Sequence, residues 1–187
     1  MSLHDQIEMY NPTNEQETKD RDLILRTMTT LSDVLTRNNE IVHFTASAFV
    51  MNPSRTQVLM VYHNIYNSWS WTGGHADGEP NLFKVAKKEL MEEAGLTEVL
   101  AIQDEIISLD ILPVIGHTKN GKYVAPHLHF NATYLFEVQD DAMLQVKPDE
   151  NSAVGWIAIS EIAAKCSEPH MIPIYEKIIA KVQQLQL

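Results

Sequence analysis

The chain has 187 residues, 44% of them hydrophobic and 21% charged, a balance that suits one domain around one core. A formal net charge of -11 argues against wrapping a nucleic-acid polymer, which needs a basic track. No run approaches the roughly 18 apolar residues of a membrane helix, and the single cysteine, Cys166, permits no intrachain disulfide, so a reducing cytoplasm is the expected setting.

The opening "MSLHDQIEMY" has neither the basic n-region nor the apolar h-region of a secretory signal. Residues 14–37 read as a helix, because Leu23, Ile24, Thr27, Leu31, Val34 and Leu35 recur at spacings near three and four. Residues 41–51 read as a strand, "NPSRT" as a turn, and 57–63 as the return strand. In "WSW", Trp69 and Trp71 alternate with serine, which sets both indoles on one side of a short strand.

A helix follows, opened by Glu79-Pro80 and closed by Gly95. At about 100° per residue, Glu89, Glu92 and Glu93 fall within an arc of about 100° that borders the core stripe of Phe83, Ala86, Leu90 and Ala94. Like charges at this spacing repel by a few tenths of a kcal/mol per exposed pair. Negative charge in a last helical turn also opposes the helix dipole, by about 0.3–1 kcal/mol per charge. A divalent cation would relieve both effects, and hard carboxylate oxygens suit Mg²⁺ or Mn²⁺. Such ions bridge phosphate oxygens, which points to a small phosphorylated ligand. On an arbitrary helix, "KKELMEE" would be a solvated charged face. Here the glycine-rich "GGHADG" runs straight into it, and its backbone can approach an anion closely.

Further along, 105–116 is strand-like, and Asn120-Gly121 signals a hairpin. Residues 127–138 alternate: Leu128, Phe130, Ala132, Tyr134, Phe136 and Val138 on one face, His127, His129, Asn131 and Thr133 on the other. His127 and His129 could hold zinc with His117 as a third ligand, but lining a cleft or satisfying local hydrogen bonds is the simpler role. "AVGWIAI" is a short strand, "SEIAAKC" a short helix, and Ile174, Tyr175, Ile178, Ile179, Val182 and Leu185 mark a C-terminal amphipathic helix. Intermixed strands and helices predict an α/β (α+β) fold, a mixed sheet with helices packed on it.

The 23 residues 74–96, "GHADGEPNLFKVAKKELMEEAGL", resemble the Nudix box: Gly, five residues, Glu, seven residues, then Arg-Glu-apolar-x-Glu-Glu-x-Gly-apolar. Gly74, Glu89, Leu90, Glu92, Glu93, Gly95 and Leu96 match in register. Lys88 stands where the box has arginine, and Pro80 where it has its first glutamate, with Glu79 one residue early. Lysine keeps the charge but loses the bidentate fork. Either Glu79 reaches Lys88 from its shifted position or that brace is missing.

The resemblance implies a Nudix-type α/β/α sandwich over residues 40–187, with 1–39 as a helical extension. It implies metal-dependent hydrolysis of the pyrophosphate bond in a nucleoside diphosphate linked to another group. It gives Glu89 and Glu93 as metal ligands, with the Gly74 carbonyl completing the shell. Glu92 would share the metal or act as base, with Lys88 beside them. Asp149 and Glu150 sit in the late loop that carries a base or extra ligand in some relatives; a solvated turn is the competing reading. Trp71, His127 and His129 are candidate substrate contacts. A homodimer is common in this fold. Two rival readings keep the fold. One is a ligand-binding or regulatory module, disfavoured because all three glutamates remain. The other is an isoprenoid-diphosphate isomerase, whose chemistry relies on a cysteine early in the chain. An acidic interaction protein without metal chemistry is the third.

Overall fold

The computed structural model describes residues 1–119 and 121–185. Two helices open the chain, α1 (Leu3–Met9) and α2 (Glu15–Thr30). Strands β1 (Val42–Met51), β2 (Gln57–His63), β3 (Ser68–Ser70) and β4 (Thr72–His75) lead into helix α3 (Leu82–Ala94). Next come β5 (Leu100–Ala101), β6 (Ser108–Val114), the ribbon β7 (His117–Lys119) and β8 (Lys122–Val124), then β9 (His127–Glu137) and β10 (Asn151–Ala158). A short helix α4 (Ile162–Lys165) and the long α5 (Ile172–Gln184) follow.

The main sheet runs β10-β2-β1-β9-β5, with β3 beside β2, β4 beside β1 and β6 beside β9. Its centre is parallel: β1 and β9 pair from Val42–Leu128 to Met51–Glu137. Alternation along these strands divides the core. Phe44, Ala46, Ala48 and Val50 of β1 and Phe130, Ala132, Tyr134 and Phe136 of β9 pack with Leu82, Val85, Ala86, Leu90 and Ala94 of α3, and with Leu3, Ile7 and Ile24 of the first two helices. On the other face, Phe49, Met51 and Leu135 pack with Trp71 and with Tyr175, Ile178 and Val182 of α5. The expected fold class is therefore found: a mixed sheet between helical layers. The second cluster takes in only the later part of β1 and β9. Their earlier odd-numbered residues are polar, and they become the floor of a cleft.

The first helices are stitched to the sheet edge. The Ile111 amide of β6 donates to Asp20 at 3.0 Å, so α2 covers an edge strand that would otherwise offer open amides. Among the described residues no helix is long and apolar enough to cross a membrane.

Several boundaries differ from expectation. The helix predicted over 14–37 stops at Thr30. The hydroxyls of Thr29 and Thr30 bond back to the Arg26 and Thr27 carbonyls, and the chain turns extended at Leu31. Val34 then accepts a hydrogen bond from the Phe44 amide at 2.7 Å, so this segment docks on β1. The helix α1 was not foreseen; its signal is a capping box between Ser2 and Asp5. Pro80 does not open α3. Asn81 caps it instead, accepting from the Lys84 amide at 3.0 Å, while Gly95 ends it in the left-handed conformation at φ 67°. The strand predicted over 105–116 narrows to β6. The hairpin signal at Asn120-Gly121 joins β7 to β8, though Asn120 lies outside the described residues.

Candidate active site

Strand β4 lies antiparallel to β1, with Gly73 opposite Ser47, Gly74 opposite Ala46 and His75 opposite Thr45. Both glycines are tightly faced. A Cβ on Gly73 would stand 2.7 Å from the Ala46 carbonyl oxygen. A Cβ on Gly74 would stand 2.5 Å from the Glu89 carboxyl carbon. The Glu89 carboxylate therefore lies against a backbone that only glycine leaves bare. The Gly73 amide donates to Glu93 Oε1 at 2.9 Å, which joins the loop to the helix.

Glu89 and Glu93 are four apart, so α3 presents them on one face. Glu150 reaches the same point from the loop before β10, and one carboxylate oxygen from each of the three lies within 4.8 Å of the others. Its placement is fixed from both sides. The Asn64 amide donates to the Glu150 carbonyl at 3.0 Å, and Asn151 Nδ2 donates to the Glu93 carbonyl at 3.2 Å. Glu93 is 3% exposed. Burial raises its pKa to about 8; the Gly73 amide opposes this, while the charges of Glu150 and Glu89 add to it. Three carboxylates this close, one of them buried, favour a bound cation. The hard oxygen donors and the glycine cradle under Glu89 fit Mg²⁺ or Mn²⁺.

Glu92 falls outside this trio. It is exposed, 3.5 Å from Lys88 and 3.7 Å from Lys147. Lys88 also pairs with Glu89 at 3.2 Å, and Lys147 with Glu150 at 3.2 Å, so two ammonium groups flank the carboxylates. The brace from Glu79 to Lys88 is absent: Glu79 binds Lys84 at 2.8 Å and the Asn81 amide at 3.0 Å.

The trio opens onto a cleft of about 410 Å³ lined by Trp71, Gly74, His75, His129, Asn131 and Asp149 among others. Its floor is a buried polar network. Asn131 Oδ1 accepts from Thr45 Oγ1 at 2.8 Å and Ser47 Oγ at 3.0 Å, and Asn131 Nδ2 donates to Thr133 Oγ1 at 3.1 Å. Trp71 commits much of its ring to the core, edge-on to Tyr175 at 5.2 Å. Trp69 packs on Tyr62 at 5.8 Å and borders the same apolar cluster, as the alternation implied.

His129 and His75 line the cleft wall, His43 is buried beside them, and His127 stands 3.1 Å from His129, ring nitrogen to ring nitrogen. Burial pushes His129 down to about 2, and His75, His43, His127 and His117 act in the same direction. The third histidine expected beside this pair, His117, instead binds the Ile115 carbonyl at 3.0 Å through Nδ1. His43 and His75 occupy that neighbourhood. Their signal in the sequence was weak, since only the β1–β9 and β1–β4 registers bring them together. A larger cavity of about 810 Å³, lined by Met1, Tyr10, Phe83, Ile106 and Lys181 among others, lacks the converging carboxylates.

A family model described as the NUDIX domain matches residues 42–178. No curated protein sequence matches the chain. Among solved structures, the chain is similar to a C. elegans Ap4A hydrolase binary complex, at 16% identity over 76% of this chain and 98% of that one, with a TM-score of 0.57. It is similar to RenU, a Nudix hydrolase from M. smegmatis, at 13% identity over 78% and 88%, with a TM-score of 0.58. It is also similar to the E. coli dihydroneopterin triphosphate pyrophosphohydrolase, at 13% identity over 73% and 94%, with a TM-score of 0.56. At these identities the likeness is one of fold.

Proposed function

Because the chain belongs to the Nudix family, we propose that it is a metal-dependent hydrolase of the pyrophosphate bond in a nucleoside diphosphate linked to a second group. The observation that carries this reading is the convergence of Glu89, Glu93 and Glu150, from two separate elements, beside Gly74. In the reaction a P–O bond forms from water and the bridging P–O bond breaks, releasing a monophosphate.

Glu89, Glu93 and the Gly74 carbonyl are the groups assigned to hold the cation. When bound, Mg²⁺ or Mn²⁺ neutralises pyrophosphate charge and lowers the pKa of water. The Gly73 amide fixes Glu93, and the bare backbone at Gly74 leaves room for the Glu89 carboxylate. Glu150 is assigned the proton of the attacking water, since it approaches from the late loop rather than from the helix. Lys88 and Lys147 balance charge at the rim, with Glu92 as their shared partner.

The test is a panel of ADP-ribose, dinucleoside polyphosphates, nucleotide sugars, NADH, coenzyme A and nucleoside triphosphates, each with Mg²⁺ and with EDTA. Monophosphate or phosphate release with Mg²⁺ alone is expected for at least one of them. Glu93→Gln is expected to lose Mg²⁺ binding and turnover with the fold intact. Glu150→Gln is expected to keep Mg²⁺ binding and to lose about 100-fold or more in kcat. Full turnover by Glu93→Gln would overturn the assignment.

A further inference from the structure

One end of the cleft carries a second donor set, of different chemistry. The parallel register puts His43 opposite His129, and β4 brings His75 to the far side of β1. The three rings form a near-equilateral triangle. Their centroids are 5.2 Å apart for His43–His75, 4.9 Å for His43–His129 and 5.0 Å for His75–His129. One ring nitrogen from each lies within 4.8 Å of the others.

The proton positions follow from the partners. His43 Nδ1 is 2.9 Å from the Asn39 carbonyl, which can only accept, so Nδ1 carries the proton and Nε2 keeps a bare lone pair. His43 Nε2 is buried and has no hydrogen-bond partner. A buried acceptor with nothing to accept loses its hydration without compensation. Asn39, whose backbone supplies that carbonyl, is itself held by its side chain. Asn39 Oδ1 accepts from the Ile41 and Val42 amides at 3.1 Å, and its Nδ2 donates to Asp33 at 3.0 Å. His127 repeats the pattern, with Nδ1 2.9 Å from the Ala125 carbonyl. Its Nε2 is thus an acceptor, and His129 supplies the proton between their Nε2 atoms, which leaves His129 Nδ1 as a lone pair.

We propose that His43, His75 and His129 form a binding site for a borderline divalent transition ion, Zn²⁺ foremost, separate from the carboxylate trio, with His127 orienting His129. Three neutral imidazoles and one position open to the cleft match zinc's preference for tetrahedral nitrogen ligation, and the carbonyl partner of His43 is the usual support of a ligating ring, while His127, fixed by the Ala125 carbonyl, holds His129. Zn–N bonds of about 2.0–2.1 Å require ligand atoms about 3.3 Å apart, so from separations within 4.8 Å the ring nitrogens must close in by up to about 1.5 Å, within the reach of side-chain rotation. The two sites differ in kind: oxygen donors for a hard ion, imidazoles for a softer one. Because His75 follows Gly74, the two ions would face the same cleft.

The full chain, held in saturating Mg²⁺, is titrated with Zn²⁺ by calorimetry, and the zinc-loaded protein is measured by X-ray absorption. One Zn²⁺ per chain with three imidazole ligands is expected. Glu93→Gln should bind zinc as the unaltered chain does. His129→Gln and His75→Gln should bind it about 100-fold or more weakly, with unchanged circular dichroism. His75 is only partly buried, so its variant keeps the test valid if His129→Gln does not fold. Oxygen-only coordination, zinc binding lost in Glu93→Gln but kept in the histidine variants, or no zinc binding at all would overturn the proposal.

Discussion

Gly73 and Gly74 are neighbours, yet each excludes a side chain for its own reason. At Gly73 the obstacle is backbone: the Ala46 carbonyl oxygen and the Ser47 Cα lie 2.7 and 3.0 Å from where a Cβ would stand. At Gly74 it is the Glu89 side chain, which can move. Gly73→Ala is therefore expected to destabilise the fold by about 1–3 kcal/mol in urea unfolding, since β1 and β4 must separate. Gly74→Ala is expected to melt near the unaltered protein while Mg²⁺-dependent turnover falls about 100-fold, because the carboxylate assigned to the cation is displaced by about 1 Å. Equal loss of stability in the two variants would contradict this distinction. The same scale explains Glu92. One residue before Glu93 means a rotation of about 100°, which carries its carboxylate off the shared face of Glu89 and Glu93 and out to the lysines.

At the scale of elements, α2 is an amphipathic helix whose buried contact is concentrated in few residues. Ile24 is fully buried against the sheet. Ile24→Ala is expected to cost about 2–5 kcal/mol in chemical unfolding; a change below 1 kcal/mol would mean that α2 is not part of the cooperative unit. Elements set by local signals were legible in the sequence: the bounds of β2, the Gly95 stop, the amphipathic α5. So was the helix-borne half of the carboxylate site, because a four-residue spacing fixes a shared face. Elements whose limits depend on tertiary docking were not. The end of α2 is decided by Val34 pairing with Phe44, and the start of α3 by the Asn81 side chain rather than Pro80. The histidine triangle was illegible for the same reason. Its members come from β1, β4 and β9, and only strand registers align them.

Across the whole molecule, a buried charge network ties the chain's first segment to its last helix. Glu17 accepts from the Tyr10 hydroxyl at 2.7 Å and from the Thr13 amide at 2.9 Å, and pairs with Lys181 at 2.5 Å and Lys177 at 3.1 Å. Burial alone would raise its pKa, but Lys181, Thr13, Tyr10 and Lys177 more than reverse this and hold it at about 2. Because the folded value lies below the ordinary one, Glu17 stabilises the fold above about pH 4.5, and that contribution disappears as pH falls toward 2. Glu17→Gln is expected to cost about 3–5 kcal/mol at pH 7, by leaving the buried Lys181 ammonium without its carboxylate, whereas Lys177 keeps Asp110 at 2.5 Å. The gap between the two proteins in urea should narrow steadily from pH 5 to pH 3; a gap independent of pH would rule the network out as the cause. The centre of the sheet has a consequence in time. Thr45 and Asn131, bonded in the cleft floor, are 86 residues apart in the chain. As the polypeptide leaves the ribosome, β1 can pair with β2 and β4 early, but its parallel edge must wait until β9 has been synthesised. In refolding of the whole chain the same separation delays the β1–β9 pairing, so pulsed hydrogen exchange should find the amides of β4 protected before those that β9 shares with β1, and the cleft is among the last features to acquire its shape.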